Sequence, residues 1–321
     1  MNPTLNIDLE KLKANADTLT AALASKGVKA AFVTKVFCAD EKMVEVLKNT
    51  DCAYLADSRL ENLAKYGQTR QEKLLLRLPA PSQADLTVKY ADISCNSVPQ
   101  TVRALDLEAA RQGKTHKIIL MIDLGDLREG IFFEDAEAVS AFVKTAKECK
   151  NILLAGIGTN LTCYGGILPT EENMGVLVNL AKKIEGEIGR KLEIISGGNS
   201  SSFLFLGEGK MPRGINNLRL GESLLLGVET AKGSRIEGTF DDVVTLEAEI
   251  IELYKKPSFP IGERTVNAFG ETGVYEDIGE RGRAILAVGR QDTDFEGLVP
   301  VDNKITVVGA SSDHLIIDVT G

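Results

Sequence analysis

Between residues 8 and 226 the sequence repeats one pattern: a short apolar run rich in β-branched residues, then a longer amphipathic stretch. The runs fall at 30–36, 52–56, 73–78, 92–96, 117–124, 153–160, 192–196 and 217–220. Eight strand-then-helix units are what a (β/α)8 barrel needs, and parallel strands covered on both faces read as near-continuous apolar runs. The competing arrangement is a doubly wound open sheet. No dinucleotide fingerprint and no Walker loop occurs in the chain, which favours the barrel. Asp8 is placed to cap a first helix with Leu12, Ala16, Leu19 and Leu23 as its buried stripe. Ser58 with Glu61, Ser82 and Thr170 read as the caps of later helices. Beyond about residue 227 the pattern changes to β-prone runs at 243–253, 274–275, 284–288, 304–308 and 315–319, punctuated by Gly and Pro. The expectation is an α/β chain: a barrel domain at 8–228 and a smaller all-β domain at 229–321, with segment 1–7 a candidate extra strand of the latter.

The formal net charge is −9 and there is no basic tract, which argues against nucleic acid or an anionic membrane as partner. No apolar run is long enough to span a bilayer and residues 1–15 lack a signal-peptide layout. Five scattered cysteines without a CxxC suggest a reduced, cytoplasmic protein. The two histidines, His116 and His314, are far apart, so neither a His-based metal site nor a Ser-His-Asp triad is expected.

In a barrel, chemistry sits at the carboxyl ends of the strands. The first run ends at Lys35, an ammonium that a buried strand has no general use for. Two readings fit it: covalent attachment to an aldehyde cofactor, or a strand-end lysine reaching to water. The fifth run ends in 123–130, with Arg128, and the sixth in 159–166, with Asn160, Cys163 and Tyr164. The seventh ends in Ser196, Gly197, Gly198, Asn199 and Ser200, and the eighth carries Arg219 and ends at Gly221. Glycines, hydroxyls and helix-starting amides suit a phosphate, and barrel phosphate sites commonly use the loops after strands seven and eight. A flexible polar turn is the plainer alternative for 196–202. A strand-one lysine together with such a cradle points to pyridoxal phosphate.

At this point the chain resembles the alanine racemase-like family of fold-type III pyridoxal-phosphate enzymes. The resemblance rests on residues 34–38, 56–62, 123–130, 158–166, 195–202 and 217–222, and it is strongest to the ornithine racemase branch. It implies an amino-acid racemase acting on ornithine, another basic amino acid or alanine. Lys35 matches the lysine that carries the cofactor and serves as one racemising base. Arg219 matches the arginine on the pyridine nitrogen, and Arg128 the arginine near the substrate carboxylate. Asn160 falls where alanine racemases carry a histidine beside the ring. Ser196, Gly198, Asn199 and Ser200 match the phosphate loop, joined by Gly221. Residues 308–313 match a loop that reaches the partner subunit, which implies a head-to-tail homodimer.

Two departures stand out. Ala39 occupies the place of a phosphate-binding tyrosine, and Phe269 that of the tyrosine serving as second base. Cys163, Tyr164 and Tyr275 are then the candidate second bases. Family members usually continue past the point where this chain stops, so a β-domain residue is expected to lie further on. Asp57, Asp126 and Asp313 are candidate partners for a distal substrate ammonium. The rival functions are a non-catalytic cofactor-handling protein, whose family has the barrel alone, and a decarboxylase of the same fold.

Overall fold

The computed structural model describes residues 3–320. The chain divides into two units, residues 8–243 and residues 3–7 with 244–320. The first unit opens with α1 (Leu9–Ala24), where the Asp8 carboxylate accepts from the Glu10 and Lys11 amides, both at 3.0 Å. Leu12, Ala16, Leu19 and Leu23 are its buried face. Then follow β2 (Lys29–Val33), α2 (Glu41–Lys48), β3 (Tyr54–Asp57), α3 (Leu60–Lys65), β4 (Glu72–Leu75), α4 (Ala84–Tyr90), β5 (Ile93–Asn96) and α5 (Pro99–Arg111). The second half continues with β6 (His116–Asp123), the two-residue β7 (Ile131–Phe132), α6 (Ala136–Glu148), β8 (Ile152–Gly158), α7 (Glu171–Ile188), β9 (Ile194–Ser196), α8 (Phe203–Glu208), β10 (Asn217–Leu220) and α9 (Glu222–Leu226). β1 (Thr4–Ile7) belongs to the other unit.

Neighbouring barrel strands run β5-β4-β3-β2-β10-β9-β8-β6, all parallel, and a β5–β6 pairing closes the ring. Closure rules out the open doubly wound sheet. Strand periodicity divides the core in two. Ile119 and Met121 join Ala31, Val33, Tyr54, Ala56, Leu74, Ile93, Cys95 and Ile194 in one cluster. Ile118, Leu120 and Ile122 pack with helical residues such as Phe142, Leu177 and Ile184 in the other. Burying each such side chain stabilises the fold by about 2 kcal/mol.

Several local expectations are corrected. The run at 30–36 is not all strand: β2 stops at Val33, and Thr34–Phe37 form a 3-10 turn that leaves Lys35 exposed. Ser58 does not cap α3, because the Asp57 carboxylate takes the Arg59 amide instead, at 2.9 Å. Ser82 lies inside a short 3-10 turn, and the Gln83 side chain accepts from the Ala80 amide. Thr170 does cap α7, in a reciprocal pair with Asn173. In the second unit the run at 243–253 breaks into β11 (Val244–Glu247), antiparallel to β1, and β12 (Ile250–Pro257). β12, β13 (Glu280–Leu286), β15 (Leu315–Asp318) and β14 (Thr306–Ala310) form an antiparallel sheet in that order, around Ala284, Val288, Leu315 and Ile317. Residues 274–275 are in no strand.

One buried group makes the barrel's stability depend on pH. His116 is 2% exposed, and its Nε2 lies 2.8 Å from Ser94 Oγ. Burial lowers its pKa to about 4. Between about 6.5 and 4 the unfolded chain binds a proton that the folded chain refuses, so stability falls with falling pH across that window. The loss reaches about 3 kcal/mol by pH 4 and is absent above about pH 7. Denaturant titrations of wild type and His116→Gln at pH 7, 5.5 and 4.5 check this. The variant should lose the part of the slope due to this group.

Candidate active site

The carboxyl ends of β2, β6, β8, β9 and β10 carry the polar residues of one rim. Lys35 sits on the turn after β2, and that turn is anchored from below. Thr34 Oγ1 is 2.6 Å from Asp57 Oδ2 and 2.5 Å from the Tyr66 hydroxyl, and all three residues are fully buried. Asp57 Oδ1 also accepts from Asn62 Nδ2 at 3.0 Å. Burial pushes the Tyr66 hydroxyl far above its ordinary pKa, so it stays protonated as a donor. Cys38 and Ala39 close the turn with φ of 52° and 50°. Left-handed backbone costs a non-glycine residue about 1 kcal/mol, which the anchoring must offset. Lys35 Nζ has no hydrogen bond or ion pair among the described residues.

Arg219, on β10, is 5% exposed. Its Nη1 donates to Ser196 Oγ at 2.5 Å and its Nη2 to the Thr159 carbonyl at 2.6 Å. Ser196 Oγ in turn donates to Asn217 Oδ1 at 2.6 Å. Burial pulls the Arg219 pKa below its ordinary value, but a guanidinium keeps its proton in proteins. Burial also pushes the nearby Cys95 thiol up to about 11, despite the guanidinium's opposing pull, so Cys95 is no counter-ion.

The cradle lies beside this arginine. Gly198 has φ 107°, and a Cβ there would meet Ser202 Oγ at 2.7 Å. Asn199 Oδ1 accepts from the Ser201 amide at 2.9 Å and starts the short turn Ser200–Ser202. Ser200 Oγ accepts from the Ser223 amide at 3.3 Å, which ties the β9 loop to the start of α9. Ser223 Oγ and Thr159 Oγ1 are buried with no hydrogen-bond partner among the described residues. A Cβ on Gly221 would lie 3.2 Å from both Val33 Cβ and Val36 Cγ1, so the cradle and the Lys35 turn are in contact. An unmet buried hydroxyl, glycines without room for side chains and an unpartnered amine alongside fit one ligand with an anionic tail and a carbonyl head.

The last part is the loop after β8. Asp126, fully buried, accepts from the amides of Cys163, Tyr164 and Ile167 at 3.2, 3.0 and 3.2 Å. The Gly165 amide donates to the Asp126 carbonyl at 3.1 Å. Asn199 Nδ2 donates to Asn160 Oδ1 at 2.9 Å and to Cys163 Sγ at 3.3 Å. Asn160 Nδ2 is also 3.3 Å from Cys163 Sγ. Turned over, the Asn160 oxygen accepts from Arg128 Nη1 at 2.9 Å and Nη2 at 3.2 Å. The Asn160 carbonyl can thus take Asn199 or Arg128 but not both, and the rim has donors to spare for an anion. Burial works against the Arg128 charge, but the ion pair with Glu129 outweighs it and holds the guanidinium above its ordinary pKa.

Lys35, Asn160, Cys163, Ser196, Gly198, Asn199, Ser200, Arg219, Gly221 and Arg128 all lie on this one rim. Tyr164 contributes its amide, while the residue is 76% exposed and its hydroxyl unbonded among the described residues. Tyr275 and Phe269 belong to the other unit, under the guanidinium groups of Arg264 and Arg290 at 5.0 and 4.1 Å. Asp57 and Asp126 are not rim acids waiting for an ammonium, because both carboxylates are buried and spent on the chain's own donors. Asp313 is exposed in the second unit and pairs with His314 at 3.0 Å. Reading the sequence did not single out Thr159, Tyr66 or Ser223. For Ser223 a signal exists, a hydroxyl two residues after Gly221 at a helix start.

Known proteins resemble this chain in sequence and in fold. The family described as alanine racemase, N-terminal domain, matches residues 7–228. Ornithine racemase of Acetoanaerobium sticklandii is 47% identical over 320 residues, covering 100% of this chain and 90% of the relative. Lysine racemase of Thermotoga maritima is 38% identical over 320 residues, covering 99% and 89%. Among solved structures, alanine racemase from Streptomyces coelicolor A3(2) is similar with TM-score 0.78 at 18% identity, over 100% of this chain and 85% of that one. Alanine racemase from Bartonella henselae with covalently bound pyridoxal phosphate is similar with TM-score 0.71 at 18% identity, over 100% and 86%. With a family match over most of its barrel and racemase relatives along its whole length, the chain belongs to the alanine racemase N-terminal domain family.

Proposed function

We propose that this protein is a pyridoxal-phosphate-dependent racemase of basic α-amino acids, with ornithine or lysine as substrate. The observation that supports the reading is the contact between the Lys35 turn and the Gly221 cradle, with Lys35 Nζ left unbonded among the described residues. The substrate class is supported by the two relatives, an ornithine racemase and a lysine racemase. When bound, the cofactor supplies an electron sink that acidifies the substrate Cα–H. Lys35 Nζ binds its aldehyde and then moves a proton. Ser200, Ser223, Asn199 and the backbone at Gly198 and Gly221 hold its phosphate, with Ser196 and Asn217 behind. Arg219 lends a hydrogen bond without surrendering a proton. Arg128 steers the substrate carboxylate.

Chiral chromatography after incubation with pyridoxal phosphate and L-ornithine, L-lysine, L-arginine or L-alanine tests the reading. Ornithine or lysine should be racemised fastest. Cofactor binding with no racemisation of any of the four would mean a carrier, and carbon dioxide release a decarboxylase. The cradle makes its own prediction: Gly198→Ala should weaken pyridoxal phosphate binding by roughly tenfold or more, because the new methyl meets Ser202 and the φ of 107° suits glycine alone. Equilibrium dialysis of the cofactor measures it.

Two further points belong to this reading. The C-terminal unit exposes Ile250, Leu253, Tyr254, Ile261, Val274 and Val301, and a head-to-tail homodimer would cover such side chains, with residues 308–313 meeting the partner. Light scattering after gel filtration measures the mass. The five cysteines are all free, which suits the cytoplasm, and no helix among the described residues is long and apolar enough to cross a membrane.

A further inference from the structure

Racemisation needs a proton taken from one face of Cα and another returned to the opposite face, so Lys35 requires a counterpart. We infer that this counterpart is the Cys163 thiol. The inference rests on the racemase reading above and names the group that completes it.

Strand order places the two groups apart. Around the ring the sequence of strands is β2, β10, β9, β8. The cradle occupies the ends of β10 and β9, so Lys35 after β2 and Cys163 after β8 flank it on opposite sides. The other ionisable groups on the β8 side are committed. Asp123 accepts from the amides of Gly125 and Leu127, at 2.9 and 3.1 Å. Asp126 is buried under three amides. Glu129 is paired with Arg128, whose guanidinium cannot release a proton. Cys95 lies in the barrel interior, and Cys38 belongs to the Lys35 turn itself. The Tyr164 ring points to solvent. Cys163 is left with an exchangeable proton and a sulfur within 3.3 Å of the Asn160 and Asn199 amides of the rim.

Two side-chain amides lie 3.3 Å from that sulfur. Asn199 Nδ2 donates to Sγ and is fixed, because its own oxygen is held by the Ser201 amide and hydroxyl. The Asn160 amide can face Sγ in two ways. As it stands its Nδ2 lies 3.3 Å from Sγ while its oxygen takes Asn199; turned over, its oxygen takes Arg128. Three backbone bonds to Asp126 hold the loop that carries the thiol. Thr159, at the same strand end, is fully buried with an unmet hydroxyl, so this end of β8 is polar without being self-sufficient. The proton balance closes: neutral Lys35 Nζ takes the proton from one face of Cα, and the Cys163 thiol gives its proton to the other. The enzyme is left with an ammonium and a thiolate, which the reverse turnover or exchange with solvent resets.

The test uses the holoenzyme of wild type and Cys163→Ala, with D- and L-ornithine in D2O. Chiral chromatography reads inversion, and mass spectrometry reads deuterium at Cα for each enantiomer. Cofactor loading and circular dichroism serve as folding controls. Cys163→Ala should racemise about a hundredfold or more slower than wild type. It should still exchange the Cα hydrogen of one enantiomer, the one Lys35 serves, within about tenfold of the wild-type rate, without inverting it. Racemisation by the variant at the wild-type rate overturns the inference and leaves the racemase reading intact. Equal loss of exchange for both enantiomers also overturns it, since that marks a loop support and not a one-face base. If wild type neither racemises nor exchanges any basic amino acid, the racemase reading itself fails, and this inference falls with it.

Discussion

Lys35→Ala should abolish racemisation, by at least about a thousandfold, or about 4 kcal/mol of transition-state stabilisation. The same change should remove covalent capture of pyridoxal phosphate by borohydride, read as intact-protein mass. The size of the effect follows from how the turn is built. Thr34, Asp57 and Tyr66 are fully buried beneath it, and two residues after the lysine in the turn, Cys38 and Ala39, hold left-handed backbone. That is a costly construction around a side chain that itself bonds to nothing described. A lysine there only to reach water would need none of it. The fold should survive the change, because Lys35 is exposed, so melting temperature should move by no more than a degree or two. Lys35→Arg keeps the positive charge but cannot attach an aldehyde, and should be as inactive as the alanine variant. Thr34→Val, which removes the hydroxyl between Asp57 and Tyr66, should damage activity and stability together. A racemase that works without Lys35 would remove the basis of the assignment.

Much of this was legible in the sequence, and what was not has a common cause. The barrel showed because parallel strands covered on both faces must be apolar throughout, and eight such runs alternate with helical stretches. Helix ends showed where the cap is local, as at Asp8 and Thr170. They failed where a side chain from the preceding strand captured the donor first. Asp57 did so at α3, so the Ser58–Glu61 pattern had nothing left to cap. β2 read too long because Thr34 and Val36 have strand propensity, whereas the tertiary bonds of Thr34 fold them into a turn. The rim residues appeared because each lies at or just past the end of a strand. Their pairings did not, since contacts such as Asn160–Asn199 or Ser200–Ser223 join positions tens of residues apart. The acids were the plainest misreading. Sequence shows a carboxylate near a strand end, and only the fold shows which donors have already claimed it.

Asp126→Ala separates these two roles for an acid. Removing the carboxylate leaves the amides of Cys163, Tyr164 and Ile167 without their acceptor. Each lost bond to a charged group counts for about 1.5–3 kcal/mol, and after relaxation the total cost should be about 3–5 kcal/mol. In a barrel this size that lowers the melting temperature by roughly 10 °C. The loop then drifts, and it already carries a strained backbone, with Thr162 at φ 63°. Racemisation should fall by about a hundredfold, since Asn160, Cys163 and Arg128 lose their common support. Asp126→Asn retains one oxygen and should lie between. Gly165→Ala should move the same loop by another route, because its Cβ would lie 2.9 Å from the Asp126 carbonyl oxygen. The discriminating measurement is selectivity. If Asp126 gripped a distal ammonium, its loss would raise KM for ornithine while sparing alanine, and would leave the melting temperature alone. A carboxylate that builds the loop lowers kcat for both substrates alike, keeps their ratio within about threefold and costs stability as well. Buried as Asp126 is, with both oxygens occupied by backbone donors, the second pattern is the one to expect.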